Sequence, residues 1–192
     1  MQHPDRIDAD VSAMRRMFLG VQPPPDCARC WLQAAGEALG EPPWLRWHAP
    51  EDVHLTVRFL GAVGAMGEAS LVRAAASALA GQAAFALTSG AALWFPEEHR
   101  AVALAMSVTP DPRLVLLAER IDRAVRQAGV PPDPRPFWPH ITLARLRRNH
   151  PPLPAAPQGA PIRFPVRELL LFESRTGGAP VRYHRRHVFP FA

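Results

Sequence analysis

His54-Leu55-Thr56-Val57-Arg58-Phe59-Leu60-Gly61 and Pro139-His140-Ile141-Thr142-Leu143-Ala144-Arg145 are two versions of one short pattern. In each, a His and a Thr two positions apart alternate with aliphatic residues. Such alternation marks a strand with one face in a core, because successive side chains of a strand point to opposite faces. His54 then shares a face with Thr56, and His140 with Thr142, while Leu55, Val57, Ile141 and Leu143 point inward. A single His-x-Thr recurs by accident. Two copies, each running on into apolar residues, point to a duplicated unit whose halves each give one His and one Thr to a shared site.

Outward from the two motifs, the chain reads as an alternation of strands and helices. Arg15 to Val21 is a strand closed by Pro23-Pro24-Pro25, and residues 26–39 form a helix ended by Gly40 and Pro42-Pro43. Trp44 to Trp47 is a short strand, and residues 53–60 carry the first motif. A second helix over 68–79 has Leu71, Val72, Ala75 and Leu79 at helical spacing. Strands over 85–95 and 101–108 precede the clearest amphipathic helix, 114–128, with Leu114, Leu117, Ile121, Ala124 and Val125 on one face. The second motif occupies a strand over 137–146. A proline-rich connection, 151–161, leads to two last strands, 166–173 and 181–189, around a Gly177-Gly178 turn. The sum is about eight strands and three helices, an α+β arrangement.

The bulk numbers fit a soluble globular protein. Of 192 residues, 48% are hydrophobic and 20% charged, and no apolar run reaches the roughly 18 residues of a membrane span. Met1 to Asp10 is polar and lacks the apolar core of a signal peptide, so a cytoplasmic location is expected. All 22 basic residues are Arg, which together with 23 Pro and abundant Ala reads as compositional bias. The net charge of +5 favours the approach of polyanions without establishing nucleic-acid binding. Cys27 and Cys30 lack a second ligand pair and read as ordinary helix thiols, since a closed zinc site needs four ligands.

Two His residues facing one cavity are a natural general acid and general base. An ordinary pKa near 6.5 lets one be charged while the other is neutral. That division suits in-line displacement at phosphorus, where water loses a proton on one side and the departing oxygen gains one on the other. Thr56 and Thr142 would donate hydroxyl hydrogen bonds to the non-bridging oxygens. No clustered carboxylates, phosphate-binding Gly-rich loop or Gly-x-Ser-x-Gly elbow offers a rival chemistry. Metal binding by His54 and His140 would need a third ligand that the sequence does not supply. The competing view is that both pairs are ordinary strand residues.

The two motifs, the opening Arg16-Met17-Phe18-Leu19-Gly20-Val21, the lead-in Trp47 to His54, and Phe172-Glu173-Ser174 with Tyr183 closely resemble the two-histidine (2H) phosphoesterases. Within that superfamily the resemblance is to the RNA 2′,3′-cyclic phosphodiesterases, also called 2′-5′ RNA ligases. It implies one bilobal α+β domain over residues 1–192, with pseudo-two-fold duplicated antiparallel sheets, helices on the outer faces and a central groove. It further implies metal-independent hydrolysis, without a cofactor, of a 2′,3′-cyclic phosphate to a 2′-phosphomonoester. His54 would be the proton donor to O3′ and His140 the acceptor from water. With an RNA 5′-hydroxyl replacing water, the same chemistry run in reverse is 2′-5′ ligation. The implied substrates are RNA ends or nucleoside 2′,3′-cyclic phosphates. A monomer with no membrane association and no obligate protein partner is expected.

Around the motifs, strand parity selects further candidates. Arg58 shares parity with His54 and would aim its guanidinium at the substrate phosphate, or would be a solvated strand-end residue. Arg145 matches an Arg frequent after the second motif in the family. Its parity is opposite to that of His140, so it reaches the groove only if the strand bulges there. Trp138, and less strongly Phe18, would stack on a nucleobase; core packing is the alternative. Tyr183 either reaches the groove or closes the last hairpin. His48, His99, His150, His184 and His187 read as surface or hairpin residues, and Arg147, Arg148, Arg182, Arg185 and Arg186 as a basic rim. Other substrates compatible with these residues are a 2′,5′-linked oligonucleotide and an ADP-ribose cyclic phosphate. A non-catalytic nucleotide- or RNA-binding module is the reading from a different class.

Overall fold

The described residues form nine strands: β1 (Arg15–Val21), β2 (Leu45–Trp47), β3 (Leu55–Val63), β4 (Phe85–Phe95), β5 (Ala103–Val108), β6 (His140–Leu146), β7 (Arg163–Val166), β8 (Glu168–Ser174) and β9 (Tyr183–Pro190). Three helices accompany them, α1 (Pro25–Leu39), α2 (Ala65–Ala78) and α3 (Pro112–Gln127). The computed structural model describes residues 14–175 and 181–192. The polar lead from Met1 to Asp10 and the Gly177-Gly178 turn lie outside them. No helix among the described residues is long and apolar enough to cross a membrane.

All the strands pair antiparallel in one curled sheet, in the order β7-β4-β5-β6-β3-β1-β8-β9, with β2 paired to β6. Along that order each half holds four strands, β2 adding a fifth beside β6, and the two motif strands β3 and β6 are the innermost of each. They meet at a single register pair, Leu55 opposite Ile141. The fold is α+β, as the alternation of periods in the sequence implies.

One face of the sheet carries the main core. Leu19, Leu55, Leu104, Ile141, Leu143, Leu169 and Leu171 join Ala28 and Trp31 of α1, Leu71 and Ala75 of α2, and Leu114, Leu117, Ile121 and Val125 of α3 in one apolar cluster. The 3.6-residue spacing of the α3 positions produces that buried stripe, and Asp111 caps the helix by accepting from the Arg113 backbone N–H at 2.8 Å. The other face carries a smaller cluster of Phe18, Leu170 and Phe172, with Tyr183 packed against it. Cys27 and Cys30 are free thiols on α1.

Most boundaries shift by one to three residues from the sequence reading, and two differences have an identifiable cause. The second motif strand begins at His140, because Pro136 and Pro139 withhold ladder N–H donors from the residues before it. The final apolar run is two strands, β7 and β8, separated at Arg167. β7 pairs with β4 and β8 with β1, so the chain changes partner at that point.

Candidate active site

The register at the seam brings the four motif side chains together. Leu55 and Ile141 are both fully buried on the core face. Their neighbours therefore turn to the opposite face, where continued antiparallel register sets His54 across from Thr142 and Thr56 across from His140. Directly opposed Cβ atoms lie about 5 Å apart and diagonal ones roughly 7–8 Å. Register continued from that one pair sets the two histidines on such a diagonal, with a threonine beside each, and the charge of His140 bears on His54.

Each imidazole is fixed from behind in the same way. His54 Nδ1–H donates to the Asp52 carbonyl at 2.6 Å, and His140 Nδ1–H donates to the Trp138 carbonyl at 2.8 Å. Nε2 of each ring keeps no partner among the described residues. Aromatic neighbours set the ring planes. His140 stacks on Phe95 at 3.7 Å between centroids, and His54 lies 4.6 Å from Phe18 and 4.7 Å, edge-on, from Tyr183. Burial pushes His54 down to about 4; the Asp52 carbonyl opposes the shift, and the charges of Arg145 and His140 add to it. His140 is also lowered, first by burial and then by Arg145, against the pull of the Trp138 carbonyl. Both rings are neutral at pH 7 before any anion arrives.

Two β-bulges decide which arginine faces the histidines. On β6, Thr142 pairs with Ala105, Ala144 with Leu104 and Arg145 with Ala103, so Leu143 is the extra residue. Leu104 belongs to the main core cluster, and the residues on either side of it turn to the groove face. The bulge thus returns Arg145 to the face of His140 and Thr142, against simple parity. Its charge bears on His48, His54 and His140 alike.

On β3 the same device works in reverse. Thr56 pairs with Gly20 and Arg58 with Leu19, so Val57 is extra and Arg58 joins the core-side face. There its guanidinium donates to Asp122 at 2.7 Å and to the Pro131 carbonyl at 2.6 Å, and it is 7% exposed. Arg58 thus ties β3 to α3, and it lines a cavity beside His140 together with Asp122 and Asp133. Phe59 takes the groove face instead, paired with Phe18.

Beyond Thr56 and His140 the two strands diverge and a cavity of about 760 Å³ opens. Phe59, Phe95, Phe137 and Trp138 line it, and its charged residues are Arg58, Arg100, Arg135, Glu119, Asp122 and Asp133. Trp138 is 49% exposed and meets Phe95 edge-to-face at 5.4 Å, so it is not a core residue. Phe18, at 3% exposed, lies beneath His54 and offers no free face.

Asp52 escaped the sequence reading. It is 2% exposed, and its carboxylate accepts the backbone N–H of Arg182 at 2.9 Å and of Tyr183 at 2.9 Å. One residue therefore orients His54 through its carbonyl and seats the start of β9 through its side chain. The only local signal is a carboxylate two positions before the motif His, and its partners lie far along the chain. His48, expected at the surface, is buried, and neither ring nitrogen has a hydrogen-bond partner. Burial, then the charges of His54 and Arg145, lowers it to about 3. Of the expected basic rim, Arg185 and Arg186 are engaged by Gln22 and Glu68. Among the described residues, no group of three His, Cys, Asp or Glu side chains is placed as metal ligands would be.

A curled antiparallel sheet with a His–Thr pair from each half at its seam defines a two-histidine phosphoesterase architecture. The chain belongs to the 2′-5′ RNA ligase superfamily, whose family model matches residues 22–178. It is 29% identical over 177 residues to an RNA 2′,3′-cyclic phosphodiesterase of Geobacillus stearothermophilus, covering 90% of this chain and 56% of that protein. The chain thus spans little more than half the length of that relative. Identity to the RNA 2′,3′-cyclic phosphodiesterase of Escherichia coli (strain K12) is 34% over 139 residues, 70% of this chain and 73% of the other. The fold superposes on a crystal structure of E. coli LigT complexed with 3′-AMP with a TM-score of 0.78 and 27% identity, covering 93% of this chain and 98% of that one.

Proposed function

We propose that this chain hydrolyses the 2′,3′-cyclic phosphate of RNA ends or nucleosides, without a metal, to a 2′-phosphomonoester. The observation that carries the reading is the diagonal pair of imidazoles across the β3–β6 seam, each with Nδ1 committed to a backbone carbonyl and Nε2 unoccupied. The cyclic phosphate sits between the rings. His140 Nε2 takes a proton from water as its oxygen bonds to phosphorus. The P–O3′ bond breaks on the far side, and His54, charged in the bound state, gives its Nε2 proton to O3′. Thr56, Thr142 and Arg145 hold the non-bridging oxygens, where negative charge concentrates. The anion itself recharges His54, whose resting pKa near 4 leaves it neutral at pH 7.

The cavity beside His140 takes the nucleobase, with Trp138 and Phe59 offering exposed rings for stacking. An RNA 5′-hydroxyl in place of water gives 2′-5′ ligation as the reverse of cleavage of a 2′-5′ linkage. The reading takes the chain as a cytoplasmic monomer that needs no protein partner for turnover.

The experiment is incubation of pure protein and EDTA with each nucleoside 2′,3′-cyclic phosphate, followed by ³¹P NMR. A 2′-phosphomonoester signal is the expected product. No turnover, or a 3′-phosphate product, refutes the assignment. Faster cleavage of 2′,5′-linked oligonucleotides or of ADP-ribose cyclic phosphate would reassign the substrate within the superfamily. Tight nucleotide binding without hydrolysis would make the chain a binding module.

A further inference from the structure

At the end of the groove away from the cavity, β2 lies against β6 and places Arg46 directly opposite Arg145. Directly opposed residues share a face, and like charges in that position repel. Leu45 and Leu146, the neighbouring pair, turn to the core side, and Leu45 is buried. Arg147 directly follows the end of β6, and continued alternation from Arg145 would set it roughly 7 Å further on and on the same face. Its backbone N–H is bound to the Trp44 carbonyl at 2.9 Å, which fixes it against the start of β2. Arg182, whose backbone is seated by Asp52, stands at the entry to β9.

These four guanidinium groups have no carboxylate in ion-pair contact among the described residues. Among the other described arginines, Arg15, Arg58, Arg135, Arg175 and Arg186 each hold an Asp or Glu. Partial burial and then the charges of Arg182, Arg147 and Arg145 pull Arg46 below the ordinary guanidinium range, as expected where cations crowd one another. A ladder position that sets Arg against Arg, uncompensated and continuous with the histidine pair, costs stability unless an anion lies across it.

Building on the cyclic phosphodiester reading, we propose that Arg46 and Arg147, flanked by Arg182, form a subsite for the RNA backbone phosphate on the 5′ side of the reacting end. The nucleobase cavity, the reacting phosphate and this strip then follow one another along β6. The chain is built to hold an oligonucleotide end in preference to a mononucleotide. Arg145, at the inner end of the strip, belongs to the reacting phosphate.

The test needs no turnover. Fluorescence anisotropy compares wild type with the Arg46→Gln/Arg147→Gln double variant, each titrated with a nucleoside 2′-phosphate and with a short oligoribonucleotide ending in a 2′-phosphate, over a range of salt. Wild type is expected to bind the oligonucleotide about ten-fold or more tighter than the mononucleotide. The double variant should lose most of that gap, and its slope of log K against log salt should fall by about 0.7 for each arginine removed. Its affinity for the nucleoside 2′-phosphate stays the same. Equal wild-type affinity for the two ligands, or a gap and slope that survive in the variant, overturns the subsite alone. Failure of wild type to bind the nucleoside 2′-phosphate overturns the phosphodiester reading on which it rests.

Discussion

The Nδ1–H of His54 and the Nδ1–H of His140 each go to the carbonyl two residues upstream, that of Asp52 for one and of Trp138 for the other. A carbonyl oxygen only accepts, so each neutral ring is held with Nδ1 protonated and Nε2 bare. The chemistry must then pass through Nε2. His54→Asn and His140→Asn keep an amide near Nδ1 and remove Nε2. Each is expected to lower kcat/KM on a nucleoside 2′,3′-cyclic phosphate by roughly 10²–10⁴. The double variant should lose much less than the product of the two, because one proton transfer is of little use without the other. A single variant that keeps wild-type kcat/KM would remove that histidine from the mechanism.

The resting pKa values set the shape of the pH profile. A proton acceptor works when neutral, so the rate rises with pH through its pKa. A donor works when charged, so the rate falls with pH through its own. The profile of kcat/KM reports the free protein, in which His54 lies near 4 and His140 below its ordinary value. Its maximum is therefore expected on the acid side of pH 6.5. Bound phosphate favours imidazolium, so the descending limb of kcat should lie at higher pH than that of kcat/KM. A kcat/KM limb that begins to fall only above pH 7 contradicts the burial seen here.

Arg145 ties those two results together. Its positive charge lowers both motif histidines, so Arg145→Gln should raise both pKa values and shift the kcat/KM profile toward higher pH. The same substitution removes a forked donor from the phosphate, and KM should rise about ten-fold or more. Arg145→Lys restores the charge without the fork. It should bring back the wild-type profile while recovering only part of the affinity, as NMR titration of the histidine Cε1–H signals and steady-state kinetics would show.

The sequence reading located the motif strands and the α3 stripe because period 2 and period 3.6 are written into single segments. Leu55 and Ile141 at the seam, and Leu114 to Val125 on α3, fall where alternation and helical spacing put them. What the sequence hid depends on two strands at once. Nothing within 54–63 says that Val57 is an extra residue, and nothing within 140–146 marks Leu143; a bulge exists only relative to a partner. Parity therefore kept Arg145 from the groove face, to which the bulge returns it, and hid the ties that hold Arg58 to Asp122 and the Pro131 carbonyl. Asp52 was illegible for the same reason, since its carboxylate answers backbone N–H groups of β9. His48 resembled any strand-end polar residue until β9 covered it.

Arg58, at the wall of the cavity, is held by Asp122 and Asp133 and carries stability. Its ion pair with Asp122 joins a 7% exposed guanidinium to a carboxylate at the boundary with solvent. Arg58→Met would leave Asp122 without its nearest cation and the Pro131 carbonyl without a donor. The expected cost is roughly 1–3 kcal/mol, allowing for screening at the exposed partner. That corresponds to several degrees of Tm in a chain of this size. Substrate KM should change far less than in Arg145→Gln. A variant with unaltered Tm and a large KM would make Arg58 a substrate contact instead.

Acid should destabilise the fold in a window that belongs to buried imidazole. Unfolded histidines take up a proton near pH 6.5, whereas folded His48 does so only near 3 and His54 near 4. As pH falls below 6.5 the unfolded chain therefore binds more protons, and stability is lost down to those folded values. Each such group contributes a slope of up to about 1.4 kcal/mol per pH unit. Asp111, Asp133 and Glu173 also have lowered pKa values, through Arg113, Arg135 and Arg175 respectively. Their contribution is lost as pH falls through the ordinary carboxylate range, so between about pH 5.5 and 6.5 the slope is histidine's alone. His48→Phe keeps an aromatic ring beside Tyr183 and removes two buried nitrogens that have no partner. It should match or exceed wild-type stability at pH 7 and flatten the acid slope by about one proton's worth. Urea melts at stepped pH give the comparison, and parallel slopes for variant and wild type would show that His48 takes its proton in the folded state as readily as in the unfolded one.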